Sequence, residues 1–144
     1  MTVTFCGHRD IVPSEELVCS LRETVIQLVK EGADEFLLGG YGAFDRMAAH
    51  VVGELKRTYP QLQLCLILAY LDQKINSTEY DTTIFPPLES IPKKYAIIRR
   101  NRWMVENSDV VIACVNHGWG GAAATLSYAI TKKKRIFQLG AYQI

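Results

Sequence analysis

Residues 110–130 read VVIACVNHGWGGAAATLSYAI. An apolar run ends in a glycine-rich turn, and the turn opens into small residues suited to the start of a helix. Residues 36–48, FLLGGYGAFDRMA, follow the same order of strand, glycines and helix earlier in the chain. A strand that empties through glycines into a helix brings backbone N–H groups and the positive end of a helix dipole to one point. That is a site for an anion, most often a phosphate. The two turns are therefore expected to hold a nucleotide-like ligand between them.

Working outward, residues 2–6, TVTFC, predict a short buried strand broken by Gly7-His8-Arg9-Asp10. Ser14 is a plausible N-cap, with Glu15 and Glu16 at the positive end of the dipole. Leu17, Val18, Leu21, Val25 and Leu28 form the apolar stripe of that helix, and Gly32 stops it. A second strand spans 35–38. The helix after it carries Phe44, Met47, Ala48, Val51 and Leu55 on one face and ends before Pro60. Residues 62–68 are an almost continuous apolar run, as suits a parallel sheet covered on both faces. Residues 69–92 are irregular, with a helical turn or two expected over 72–80. Pro86, Pro87 and Pro92 forbid a regular element beyond that. A helix over 93–107 sets Ile97, Asn101 and Met104 on one face, where the Asn101 amide needs a partner. A fourth strand (110–115), a last helix (122–131) and a fifth strand (136–139) complete the chain. Lys132–Arg135 read as the solvated C-terminal end of that last helix.

Alternating strands and helices imply an α/β fold: one Rossmann-like three-layer domain over residues 1–144, with a mainly parallel five-stranded sheet. Right-handed crossovers leave the orders 3-2-1-4-5 and 2-1-3-4-5, and the long connection after strand three favours 3-2-1-4-5. The apolar fraction of 49% and charged fraction of 22% are those of an ordinary globule. A formal net charge of +1 supplies no long-range pull toward polyanions, so nucleic acid is expected to be an unlikely partner. MTVTFCG at the N-terminus lacks a basic signal-peptide region, and no apolar run approaches the ~20 residues that span a bilayer. A cytoplasmic protein without membrane contact is expected. Cys6, Cys19, Cys65 and Cys114 have no ligand spacing and read as free thiols, and no metal is expected.

In such a sheet the ligand lies outside the carboxyl ends of the strands, at the switch point between strands one and four. Gly7, His8 and Arg9 leave strand one there. Asn116, His117, Gly118, Trp119, Gly120 and Gly121 leave strand four, and Gly39, Gly40, Tyr41 and Gly42 stand beside them. Gly120 and Gly121 expose backbone N–H groups, and Thr125 offers a hydroxyl. The turn is neither a Walker loop nor GxGxxG. Arg9 suits a phosphate or carboxylate. His8 and His117 face each other as candidate acid and base, without a third group that would make a metal set. Asp45 either caps its helix or accepts ribose hydroxyls, and is a third catalytic candidate. Tyr41 and Trp119 are placed to stack on a base, whereas Trp103 reads as packing. Arg100 and Asn101 reach the site from the crossover helix.

The run RRNRWMVENSDVVIACVNHGWGGAAATLSYAITKKKRI (99–136) resembles the YpsA-like branch of the SLOG superfamily. So do TFCGHR at 4–9, the Gly39–Gly42 turn with Asp45, and Ala69-Tyr70-Leu71-Asp72-Gln73, where Ala69 replaces the usual proline. The resemblance implies a Rossmann-like fold that binds nucleotides or derived ligands such as NAD- or ADP-ribose-like molecules, often as a sensor. LOG-type phosphoribohydrolases and DprA-type DNA-binding domains are relatives. The LOG motif PGGxGTxxE, laid with its threonine on Thr125, puts Tyr128 where the catalytic glutamate belongs, which argues against that activity.

Three functions follow. A binding module or sensor for a nucleotide-like ligand needs the glycine turns and Arg9 alone. A hydrolase of a nucleotide N-glycosidic bond needs Asp45, or the pair His8 and His117, within reach of a ribose. An oligomeric scaffold needs neither. No resident cofactor is expected beyond a nucleotide or ADP-ribose-type ligand, and helix packing makes a homodimer the expected assembly.

Overall fold

The computed structural model describes residues 1–74 and 79–140. In chain order the elements are β1 (Thr2–Gly7), α1 (Glu15–Lys30), β2 (Glu35–Leu38), α2 (Gly42–Leu55), β3 (Gln63–Ile67), β4 (Thr82–Ile84), a 3-10 turn (Lys93–Tyr95), α3 (Ala96–Glu106), β5 (Val110–Cys114), α4 (Gly121–Thr131) and β6 (Arg135–Gln138). The helical turns expected over 72–80 fall partly on 75–78, outside the described residues.

Every strand pairing is parallel, and the sheet runs β4-β3-β2-β1-β5-β6. This corrects the expected count of five strands: a sixth lies at the edge beyond β3, and the other five run β3-β2-β1-β5-β6. The added strand, β4, pairs with β3 at Cys65↔Thr82, Leu66↔Thr83 and Ile67↔Ile84. Its three β-branched residues suit extended backbone, but two of them are polar, so no apolar run announces it. Asp81, just before it, accepts the Leu64 N–H at 2.8 Å and pairs with Lys56, which fastens β4 to the β3 edge.

Side-chain alternation gives the sheet two apolar faces. Val3, Phe5, Phe36, Leu38, Leu64 and Ile112 meet α1 and α2. Cys6, Val111, Ala113 and Val115 meet α3 and α4 through Val105, Ala123, Leu126 and Ala129. Thr4 is buried in the middle of β1 and is satisfied by donating to the Leu37 carbonyl at 3.1 Å. Ser14 caps α1 by accepting the Leu17 N–H at 3.1 Å, with Glu15 and Glu16 in the first turn. Among the described residues no helix is long and apolar enough to cross a membrane.

The register places the site. Gly7 of β1 stands opposite Cys114 of β5, so both strands release the chain at the same level. One exit leads toward α1 on one face and the other toward α4 on the opposite face. A crevice opens between them at the carboxyl edge.

Candidate functional site

That crevice is a cleft of about 360 Å³. It gathers Gly7, His8 and Arg9 from the turn after β1, and Tyr41 and Asp45 from the start of α2. Arg100 and Asn101 come from α3, and His117, Trp119, Gly120, Gly121 and Thr125 from the β5–α4 turn. Five expected members do not line it. Asn116 faces a neighbouring cavity, while Gly39, Gly40, Gly42 and Gly118 stay out of the lining. The cleft also takes in Ile97 and Met104, which share the Asn101 face of α3, along with Asp10, Cys6 and Phe5.

The N-terminus of α4 is one wall. Gly120 holds a positive φ of 91°, and no side chain caps the helix. The Ala124 N–H takes the Gly120 carbonyl at 3.0 Å, so the N–H groups of the preceding turn are the ones without intrahelical acceptors. A Cβ built on Gly121 meets nothing within 4 Å. Nothing inside the protein therefore requires glycine there. The open space above it is shaped for the close approach of an anion to backbone donors. The Thr125 hydroxyl donates back to the Gly121 carbonyl at 2.8 Å, leaving its oxygen as an acceptor at the cleft wall.

The second wall is a stack of three rings from the turns after β1 and β5. His8 and His117 lie parallel with centroids 3.6 Å apart, and His117 lies equally close on Trp119. His8 is 6% exposed, and its Nε2 has no partner among the described residues; His117 Nδ1 is likewise unpartnered. Burial and the neighbouring His117 hold the His8 pKa below its usual value, so the ring is neutral at pH 7. Trp119 is 71% exposed and closes the stack at the solvent side.

The third wall is a charged cluster around Tyr41. The guanidiniums of Arg9 and Arg100 lie 5.3 and 5.4 Å from its ring centroid. Arg100 is buried, and its Nη1 donates to the carbonyls of Gly39 and Ile67, each at 3.0 Å. Its Nε donates to Asn101 Oδ1 at 2.9 Å, which answers the amide's need for a partner. Asp45 accepts the Tyr41 N–H at 3.1 Å and so caps α2 from within. Burial pushes its carboxyl up to about 6, against the opposing pull of Arg100, the Tyr41 and Gly40 N–H groups and Arg9. Cys6 is pushed up to about 12 by burial, with Asp45 and Cys114 adding to it, so its thiol is no nucleophile at neutral pH.

The glycine turn after β2 has a different physical cause. A Cβ on Gly39 would sit 2.7 Å from the Arg100 guanidinium carbon, one on Gly40 2.7 Å from Leu66, and one on Gly42 2.6 Å from the Arg9 backbone. Gly39 and Gly42 make room for the arginines that face the cleft, and Gly40 makes room for Leu66.

Similarity to known proteins shows the family and the fold. A family model described as the YspA SLOG family (YpsA) matches residues 14–144. This chain belongs to the YspA SLOG family. A relative, the UPF0398 protein BH1768 of Halalkalibacterium halodurans, is 26% identical over 96% of this chain and 76% of its own length. Two solved structures share the fold. The single-stranded-DNA-binding DNA processing protein A from Helicobacter pylori superposes with a TM-score of 0.67 at 19% identity, over 98% of this chain and 66% of that one. The molybdenum cofactor binding protein from Rippkaea orientalis gives 0.64 at 20%, over 95% and 74%.

Two expectations change. A protein of this fold binds single-stranded DNA, so the near-zero net charge does not exclude nucleic acid as a partner. The overall sum is the wrong quantity, because it averages over faces that a polymer meets one at a time. Tyr128, at the position assigned to the LOG glutamate, does not line the cleft of this SLOG chain. It lies in a groove between α3 and α4, and its hydroxyl donates to Glu106 at 2.5 Å.

Proposed function

We propose that the cleft binds a nucleotide or nucleotide-derived ligand, and that the protein acts as a sensor or carrier of it. The observation that supports this best is Gly121. It sits at an uncapped helix N-terminus with open space above it, in the same cleft as a buried imidazole nitrogen that lacks a partner among the described residues. A phosphate on the α4 donors satisfies the helix end. Arg9 is exposed and makes no ion pair among the described residues, so it is free to supply the countercharge. Asp45 accepts ribose hydroxyls, and the outer face of Trp119 extends the ring stack onto a base. Fold neighbours named for a molybdenum cofactor and for single-stranded DNA are binding proteins too.

A second reading is hydrolysis of the ligand's N-glycosidic bond. The carboxyl pKa of about 6 at Asp45 favours it, since a group poised near neutrality suits proton transfer.

One experiment tests both readings. The protein is incubated with NAD, ADP-ribose and AMP, and thermal shift and products are followed together. A shift without turnover, abolished in Arg9→Ala, is the expected result. Released base would favour hydrolysis. No shift with any of the three would overturn the ligand assignment.

A further inference from the structure

The +1 net charge conceals a strong partition. Residues 93–135 hold nine of the sixteen Lys and Arg residues and two of the fifteen Asp and Glu residues. This segment runs from α3 through β5 and α4 to the start of β6, and its two helices form the layer on the side of the sheet away from α1 and α2. Its two acids are engaged: Glu106 accepts the Tyr128 hydroxyl, and Asp109 accepts the Thr2 N–H at 2.9 Å. Arg135 is paired with Glu31, and Arg100 is buried. Lys93, Lys94, Arg99, Arg102 and Lys132 are exposed and have no carboxylate partner among the described residues.

Aromatic rings are interleaved with these cations. Arg102 and Lys132 lie 5.1 and 5.4 Å from the centroid of the Tyr128 ring, and Lys94 lies 5.1 Å from that of Tyr95. Beside Arg99 and Arg102, three apart and so on one helix face, runs a groove of about 290 Å³ walled by Leu88, Trp103 and Tyr128. Cations that track a phosphate backbone, beside an aromatic-walled groove that takes an unstacked base, are the parts of a single-strand platform. A duplex keeps its bases stacked inside and cannot offer one to a half-buried ring.

We propose that the α3–α4 face binds single-stranded nucleic acid at a site separate from the cleft. Phosphates pair with Arg99, Arg102 and Lys132, and a base enters the groove against Trp103 and Tyr128. Backbone charge and base stacking are common to DNA and RNA, so both strands bind.

The test is fluorescence anisotropy with labelled oligothymidylate and oligouridylate of about twenty nucleotides, from about 50 to 200 mM salt. Three to five neutralised phosphates give a slope of log K against log salt of roughly −2 to −3.5. Arg99→Ala, Arg102→Ala and Lys132→Ala, all on exposed side chains, should each weaken binding several-fold and reduce the slope by about 0.7. Gly121→Ala should leave strand binding unchanged while altering the cleft, which separates failure of this site from failure of the ligand reading. No binding at about 50 mM salt overturns the proposal. So does binding unmoved by the triple variant, binding lost with Gly121→Ala, or binding of only one of the two strands. A dimer in light scattering that the triple variant dissolves overturns it as well, because the face is then an interface between copies of the chain.

Discussion

Gly39 and Gly121 each follow a strand, but the space above them differs. A Cβ at Gly39 runs into the Arg100 guanidinium, whereas one at Gly121 meets nothing within 4 Å. The first is glycine for the protein's own packing; on the proposed function, the second is glycine for the bound ligand. Gly121→Ala should therefore move stability and binding in opposite directions. Alanine at an ordinary helical position raises stability by roughly 0.4–1 kcal/mol through the unfolded chain. The same methyl blocks the approach to the α4 donors, and at least a tenfold loss of ligand affinity is expected by calorimetric titration. Normal affinity with a normal melting curve would remove Gly121 from the site. Asp45 makes a second prediction at this scale. Its folded pKa of about 6 lies above the usual value of 3.8, so the native state holds a proton that the unfolded chain releases first. The stabilisation is then fully present below about pH 4 and is lost as pH rises through about 6, over a range of at most about 3 kcal/mol. Asp45→Asn should flatten denaturant-derived stability between those pH values, and a slope identical to the parent's would show that another group titrates.

At the scale of elements, α3 joins the site to the sheet. Arg100 reaches from it to the carbonyls that end β2 and β3, holding Gly39 and Ile67 together from one guanidinium. Arg100→Leu takes this donor from the buried Ile67 carbonyl and leaves the Gly39 carbonyl with the Gln73 amide at 3.1 Å, and a loss of about 1–3 kcal/mol in urea unfolding is expected. Arg100→Lys keeps the charge but not the fork, and should recover only part of it. A loss below about 1 kcal/mol for the leucine variant would mean that water replaces the guanidinium. The helices were legible in the chain because their signals are local: Ser14 and two glutamates open α1, and the stripe from Phe44 to Leu55 defines α2. β4 was not legible, since Thr82-Thr83-Ile84 is too short to alternate and exists by pairing with β3. The stack of His8, His117 and Trp119 was only half legible. The turns were expected to converge, but parallel rings 3.6 Å apart depend on the Gly7↔Cys114 register, which no local pattern encodes. Nor could a sequence distinguish a glycine turn filled by arginine from one left open.

For the whole molecule, sheet order sets which parts open together. β1 and β5 lie inside the sheet with neighbours on both sides, while β4 and β6 are edges, and β6 is only partly buried. Hydrogen exchange should be slowest in β1, β2 and β5, near the global unfolding limit, and fastest in β4 and β6. The ligand cleft is built on the slow strands, and only its rim belongs to turns. Binding should therefore add protection at residues 7–10, 41–45 and 117–125, leaving β4 and α1 unchanged. A strand on the α3–α4 face should instead protect that face's edges around 93–103 and 128–132. The cleft also touches α3 at Ile97, Arg100 and Asn101, so the footprints are told apart at 117–125 and at 128–132, and one exchange experiment with nucleotide and then oligonucleotide separates the sites. Protection spread evenly over the sheet in both cases would mean that either ligand acts by global stabilisation, and neither site could then be assigned from its position on the fold.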